Sequence, residues 1–308
     1  MSIYNLPQRA VIFLVAVLSL GSARSQTSQR NVLVATVGDL LTVGSSQNAE
    51  PTVNSNSELT VATYPPAYSE EIKNRLMDSY GAVLLARGGA APPPGIAFAD
   101  QAAVAAWQGG VPTEPATMGK VTIELQTPAM QALLDARAEI RKFRRNLTPR
   151  TRTAARRNYA DTVRFWRYRV ESGLAHWVKQ GRITAKDSRR IRALAPAEQV
   201  AEILRLEADG LYFSSNRKKS ILASAAPPGA SQHLSMLALD IKEHDHVKIR
   251  AALARHGWFQ TVPEDLSHFT FLGCSEEELP ALGLRKITQG QRVYWVLDRA
   301  AASTGSGQ

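Results

Sequence analysis

The chain has 308 residues, with 37 Lys and Arg against 27 Asp and Glu and a formal net charge of +10. Its single cysteine, Cys274, excludes an intramolecular disulfide, so the chain is not a small disulfide-stabilised module. It is long enough to bury an ordinary hydrophobic core, and its positive charge is compatible with polyanionic partners without identifying one.

The N-terminus has the pattern of a secretory signal peptide, which we predict over residues 1–25. Arg9 supplies a positive charge before the apolar residues 10–21, and Ala23 and Ser25 are small residues at the positions that set cleavage. About 12 apolar residues are too few for a retained membrane anchor, which needs roughly 20. We therefore expect an exported protein, periplasmic or extracellular, without stable membrane insertion after cleavage. Export also disfavours a nucleic-acid partner, and the oligomeric state stays open.

Composition divides the rest of the chain into a stalk, a domain and a tail. Residues 26–66 are rich in Ser, Asn, Thr and Val, which favours a poorly ordered stalk with one short strand at 31–37. Residues 67–299 carry the alternating apolar patterns of a folded domain. Residues 300–308 are small and polar, and we expect them to be disordered.

The first part of the domain mixes helical and strand patterns. A helix is predicted to begin just after Ser69, which is a suitable N-cap residue. Three consecutive prolines at 92–94 enforce a break, and residues 121–125 alternate as a strand does. Thr127 then opens a further helix, with a proline in its first turn.

A basic, helical region follows. A helix is predicted over residues 154–173, and two more over 185–193 and 196–208. Residues 174–226 form an insertion before the motifs described next. The apolar side of the first of these helices carries Tyr159, Val163, Trp166 and Val170.

The last part of the domain changes to short segments. Propensity alone leaves residues 234–239 open between helix and strand. A helix over 246–256 is predicted, with Asp245 as its N-cap. The segments WFQTV and SHFTFLG are typical of two strands joined by a turn at Pro263.

Two short segments carry the residues with the most specific chemistry. His233 precedes Asp240 by seven residues, and Asp265 precedes His268 by three. Two imidazoles and one carboxylate around zinc leave one position open for water, which is the arrangement of catalytic rather than structural zinc sites. Because the three candidate ligands span 36 positions of sequence, their spacing alone is a weak signal.

Order and flanking residues make this region resemble the VanY-type D-alanyl-D-alanine carboxypeptidases and their zinc peptidase relatives. Their pattern is S-x-H-x-x-G-x-A-x-D followed later by E-x-x-H, and this chain matches it at Ser231, His233, Ala238, Asp240 and His268. The resemblance implies an α+β fold in which a small antiparallel sheet carries a zinc site, here with a large helical N-terminal extension and insertion. It also implies a strand near 237–241, zinc held by His233, Asp240 and His268, and hydrolysis of D-Ala-D-Ala or related bonds in peptidoglycan stem peptides.

The sequence departs from that pattern at two positions. Met236 replaces the usual glycine, so we expect a backbone conformation open only to glycine to be unavailable there. Asp265 replaces the glutamate that acts as general base, which shortens its reach by roughly 1.5 Å and can cost on the order of a hundredfold in rate. Glu264 is an alternative base, although in an extended segment its side chain would point elsewhere.

The resemblance further implies an arginine that holds the substrate. Arg150 is the first choice, Arg152 the second, and Arg217 a rival because it lies closer to the histidine motif. A guanidinium suits the task because its planar fork binds a carboxylate through two hydrogen bonds. Ser231 is expected to orient the site through its hydroxyl.

Two alternatives to a peptidase remain open. The chain is either a catalytically weak or inactive member that binds peptidoglycan, or a basic module that binds polyanions. The second alternative draws on the arginine-rich residues 137–169, which are interleaved with aromatic side chains.

Overall fold

The computed structural model describes residues 68–298. The predicted signal peptide, the stalk with its strand at 31–37, and the C-terminal tail lie outside the described residues. Within the described part, no helix is long and apolar enough to cross a membrane.

The fold is α+β, as predicted, with helices around small antiparallel sheets. The helices are α1 (Glu70–Tyr80), α2 (Gln101–Gly109), α3 (Thr127–Lys142), α4 (Tyr159–Lys179), α5 (Ala185–Ala193), α6 (Pro196–Ala208) and α7 (Val247–Arg255). The strands are β1 (Thr113–Met118), β2 (Val121–Gln126), β3 (Ala238–Asp240), β4 (Trp258–Phe259), β5 (His268–Phe271), β6 (Leu284–Gln289) and β7 (Arg292–Leu297).

The central sheet has the strand order β3-β5-β4, and both of its pairs are antiparallel. Hairpins β1-β2 and β6-β7 form separate two-stranded sheets. The sequence reading found β2 but missed α2, β1 and the β6-β7 hairpin. Pro115 lies inside β1, and such a proline counts against a strand unless the strand lies at an edge.

Helix α4 begins later and ends later than predicted. Asn158 caps it in a reciprocal capping box with Asp161, so the helix starts at Tyr159 rather than at residue 154. The preceding residues are used elsewhere, because the carbonyl of Ala154 accepts from the Asp240 N–H (2.8 Å) and the Arg157 N–H donates to the His233 carbonyl (3.3 Å). Hydrogen bonds to distant segments therefore keep residues 154–157 out of the helix that their sequence pattern predicts.

The N-cap predicted for α7 is also wrong. The cap residue is His246, and it makes no side-chain capping bond. The Asp245 carboxylate forms an ion pair with Arg292 instead. Asp245 therefore pairs with Arg292 of the β6-β7 hairpin and does not accept from the backbone N–H groups of the first turn of α7.

The two largest hydrophobic clusters of the described residues support the architecture. One joins α3 and α7 to β2 and the central sheet, with Leu133, Leu253 and Phe269 buried at its centre. The other joins α1, α4, α5 and α6 around Trp166 and Phe213. Residues from both parts of the fold line the cleft described below.

The segment that carries His233 is held in a tight path. His233 lies in a short 3₁₀ helix, Gln232–Ser235, which ends at Met236 with φ of 57° and ψ of 27°. This left-handed conformation favours glycine but is not restricted to it, so Met236 can follow the path that a glycine would take. It costs about 1–2 kcal/mol for a residue with a Cβ. Burial of the Met236 side chain and a bond from Gln126 N–H to its carbonyl (3.1 Å) hold it in place.

Gly229 begins the same segment, and no other residue fits its position. Its φ is +84°, and a Cβ there would lie 2.1 Å from the Phe98 carbonyl oxygen. The two residues are also joined by a hydrogen bond from Phe98 N–H to the Gly229 carbonyl (3.0 Å).

We predict that Gly229→Ala lowers the free energy of unfolding much more than Gly210→Ala. Gly210 has a similar φ of +80° but open space around the Cβ position. The left-handed conformation costs about 1–2 kcal/mol in both variants, and the clash adds roughly 1–3 kcal/mol in Gly229→Ala alone. Denaturant unfolding measures the difference, and equal losses would contradict the close approach.

Candidate metal centre

His233, Asp240 and His268 converge on one point. His233 Nε2 lies 3.1 Å from His268 Nδ1, and Asp240 Oδ1 lies 3.4 Å from each of these nitrogens. The three side chains form a group able to hold a metal ion, and both imidazoles are buried.

Strand register explains two of the three positions. Asp240 at the end of β3 pairs directly with His268 at the start of β5. Paired residues on antiparallel strands have Cβ atoms about 4.5–5.5 Å apart, so both side chains reach the same point. His233 comes from the 3₁₀ helix, whose end leads into β3.

The hydrogen bonds of the two imidazoles define their tautomers. His233 Nδ1–H donates to the Ala155 carbonyl (2.9 Å), and His268 Nε2–H donates to Gln232 Oε1 (2.7 Å). The Gln232 amide cannot be turned round, because its Nε2 donates to the Tyr80 carbonyl (2.8 Å). In the neutral form of each ring, the nitrogen without a proton is therefore the one that faces the other imidazole.

This arrangement suits a cation. The two facing imidazole nitrogens and Oδ1 of Asp240 lie within 3.4 Å of one another. Burial, helped by the charge of Arg157, lowers the pKa of His233 to about 4 against the opposing effect of Asp240. Protonation of His233 therefore does not supply a positive charge there at neutral pH, and a metal ion bound by the three side chains would supply it.

The donor set fits zinc. Tetrahedral zinc with bonds of about 2.0–2.1 Å places its ligands about 3.3–3.4 Å apart, close to the observed triangle. Each histidine also donates its second ring N–H to an oxygen, as zinc-ligating histidines do. Three protein ligands leave a fourth position open.

Arg157 orients the third candidate ligand. Its Nη2 donates to Asp240 Oδ2 (2.7 Å), which leaves Oδ1 directed at the imidazoles. Burial alone would raise the pKa of Asp240, but His233, His268 and Arg157 together hold it well below its ordinary value. The carboxylate is thus ionised and ready to bind a cation.

A cleft of about 230 Å³ opens onto this group, and Asp265 lies in it. Burial raises the pKa of Asp265 and the Asp240 charge adds to the rise, while His268, Arg157 and Ser267 oppose it. The Ser267 hydroxyl donates to Asp265 Oδ1 (3.3 Å) and accepts from Arg150 Nη1 (2.9 Å). The Ser267 hydroxyl therefore bridges Arg150 and Asp265, whose carboxyl has a raised pKa.

The other predicted site residues differ in whether they line this cleft. Arg150 and Ser231 line the cleft with Asp265. Arg152 is exposed and does not line the cleft, so its proposed role in substrate binding loses support. Arg217 is held away from the cleft lining by the Ser172 hydroxyl (2.6 Å) and by carbonyls of its own loop. Glu264 forms an ion pair with Lys219 (2.7 Å), away from the candidate ligands.

Sequence reasoning missed the residues that orient the ligands. Gln232 and Arg157 both contact candidate ligands, and Arg169 lines the same cleft. Gln232 directly precedes His233, but an isolated glutamine carries no pattern. Arg157 is one of many arginines in its segment, and only the fold distinguishes it from the others.

Comparison with known proteins gave one distant structural similarity. No family model and no curated protein matches the chain. A crystal structure of a mutant of the vancomycin resistance D,D-pentapeptidase VanY, from a VanB-type resistance cassette and in complex with Zn(II), is similar with a TM-score of 0.34 and 15% sequence identity. The match covers 54% of this chain and 82% of that one.

We predict that Gln232→Leu weakens zinc binding by about 10–100-fold, the usual effect of losing a group that orients a metal ligand. Without the amide oxygen, nothing holds the His268 proton on Nε2. Gln260→Leu is the control, because Gln260 is equally buried and donates to a carbonyl (2.8 Å) without touching a candidate ligand. Competition with a chromogenic chelator measures both affinities, and equal losses would contradict the role of Gln232.

The pKa of His233 predicts how stability depends on pH in the metal-free protein. The imidazole has a pKa of 6.5 when unperturbed and about 4 in the folded chain. The unfolded chain therefore takes up this proton first, so stability falls as pH drops from about 6.5 to about 4, by on the order of 3 kcal/mol. Below that range His233 adds no further change.

Denaturant unfolding with chelator present, at several pH values, tests this dependence. His233→Asn should show a flatter curve across the same range. Parallel curves for the two proteins would mean that His233 is not the group that titrates.

Proposed function

We propose that this protein is an exported zinc-dependent peptidase that hydrolyses D-Ala-D-Ala or related bonds in peptidoglycan stem peptides. The observation that carries the proposal is the meeting of one possible ligand atom from each of three side chains in a cleft that also holds a carboxyl with a raised pKa. The choice of substrate draws on the likeness of the histidine motifs to VanY-type peptidases. The proposal that the protein is exported rests on the signal-peptide pattern of residues 1–25.

His233, Asp240 and His268 would hold the zinc ion. Zinc bound with an open position supplies Lewis acidity, which lowers the pKa of a coordinated water to about 7. The hydrogen bonds from the imidazoles to Ala155 and Gln232 keep both ligand nitrogens free of protons for this purpose.

Asp265 is the general base in this proposal. It lies in the cleft, and its raised pKa suits a carboxylate that must both accept and return a proton near neutral pH. It would take a proton from the attacking water and deliver it to the nitrogen of the leaving amine. Glu264 is the weaker choice, because Lys219 already pairs with it.

Arg150 would bind the terminal carboxylate of the peptide. Its guanidinium donates only to the neutral Ser267 hydroxyl among described residues, so its charge is available to a substrate. The link from Arg150 through Ser267 to Asp265 would place the bound terminus beside the base.

We predict that Asp265→Asn retains zinc but lowers kcat by at least about a hundredfold, since a general base contributes roughly 10²–10⁴-fold. Glu264→Gln is the matched control and should leave kcat near that of the unaltered protein. Zinc content is measured on the purified proteins. Mass spectrometry of stem pentapeptides and muropeptides after incubation follows hydrolysis.

The same experiment separates the alternatives. Loss of activity in Glu264→Gln rather than in Asp265→Asn would transfer the role of base to Glu264. Bound zinc with unchanged peptides would indicate a peptidoglycan-binding protein without catalysis. Absence of zinc would end the peptidase proposal.

A further inference from the structure

Arg169 is a cation of the cleft that the proposed mechanism does not use. It lies on α4 and lines the same cleft as the candidate ligands. Its Nε is buried without a hydrogen-bond partner, and its guanidinium makes no hydrogen bond or ion pair with any residue in the range 68–298. Its guanidinium lies over the ring of Tyr168, 5.8 Å from the centroid.

The other two arginines of the cleft have oxygen partners. Arg157 is neutralised by the Asp240 carboxylate (2.7 Å), and Arg150 donates to the Ser267 hydroxyl (2.9 Å). A terminal carboxylate bound at Arg150 would still leave Arg169 without a counter-charge. A partly buried guanidinium without an anion is costly, which makes its position a site for one.

The surroundings of Arg169 strengthen its attraction for an anion. Arg217 lies near enough for the charge of Arg169 to lower its pKa, in addition to the effect of burial. Phe165 lies one turn before Arg169 on α4, and both line the cleft with Leu222 and Ala226. An ion pair formed beside such apolar side chains is screened less than one on open surface.

We propose that Arg169 binds a second carboxylate of the substrate, on a residue upstream of the bond that is cut. The preferred substrate is then a peptide with an internal carboxylate in addition to its C-terminal one. This inference rests on the proposed peptidase function, and it makes Arg169 a determinant of specificity rather than of the chemical step.

Matched peptides test the proposal. One is L-Ala-γ-D-Glu-L-Lys-D-Ala-D-Ala with a free α-carboxylate on its glutamate, and the other carries a carboxamide there. Versions whose final peptide bond is reduced to an amine cannot be hydrolysed, and calorimetry gives their Kd values with zinc-loaded protein. We expect the carboxylate peptide to bind at least about tenfold more tightly, as hydrogen bonds to charged groups imply.

Variants of α4 test whether Arg169 causes the preference for the carboxylate peptide. Arg169→Met should remove it by weakening only the carboxylate peptide, and Arg169→Lys should retain part of it. Arg167→Met is the control, because Arg167 is an exposed arginine of the same helix that does not line the cleft. It should keep the full preference.

Equal affinities of the two peptides for the unaltered protein would overturn the proposal, as would a preference that survives Arg169→Met. Hydrolysis of the ordinary peptides distinguishes this failure from failure of the proposed function. If both are cleaved with equal kcat/KM, the peptidase proposal stands and the role of Arg169 falls. If neither is bound, both proposals fall.

Discussion

The amide of Gln232 is the contact on which the candidate metal centre depends. Because its nitrogen donates to the Tyr80 carbonyl, its oxygen must accept the His268 proton, and the opposite ring nitrogen is left free. The Ala155 carbonyl does the same for His233. Without these two acceptors, a proton could be shared between the facing nitrogens, and it would compete with a metal ion for them.

The loop at residues 147–158 is the structural support of the site. The backbone N–H of Arg150 donates to the Asp240 carbonyl (3.0 Å), and the backbone N–H of Asp240 donates to the Ala154 carbonyl (2.8 Å). The same loop supplies Arg157 to the Asp240 carboxylate. Backbone and side chain thus act together, so the loop orients a candidate ligand and also brings Arg150 and Arg157 into the cleft.

The helical part of the chain contributes directly to the cleft. Helix α4 supplies Phe165 and Arg169, and the end of the insertion supplies Leu222 and Ala226. The insertion at 174–226 therefore provides part of the wall against which a ligand would rest. A cleft with two carboxylates and three guanidiniums, opening onto a candidate metal centre, favours an anionic ligand over a neutral one.

The sequence by itself determined the bounds of α5 and α6, because helical periodicity is a local signal. The α+β class and the candidate ligands were predicted from the resemblance of the histidine motifs to those of VanY-type peptidases. Only the tertiary structure decided that α4 starts at Tyr159, that Met236 adopts a left-handed conformation, and that Arg150 and not Arg152 reaches the cleft. Each of these depends on hydrogen bonds or burial between segments far apart in the chain. Arg157 and Gln232 were missed for the same reason, since their partners Asp240 and His268 lie 83 and 36 positions away.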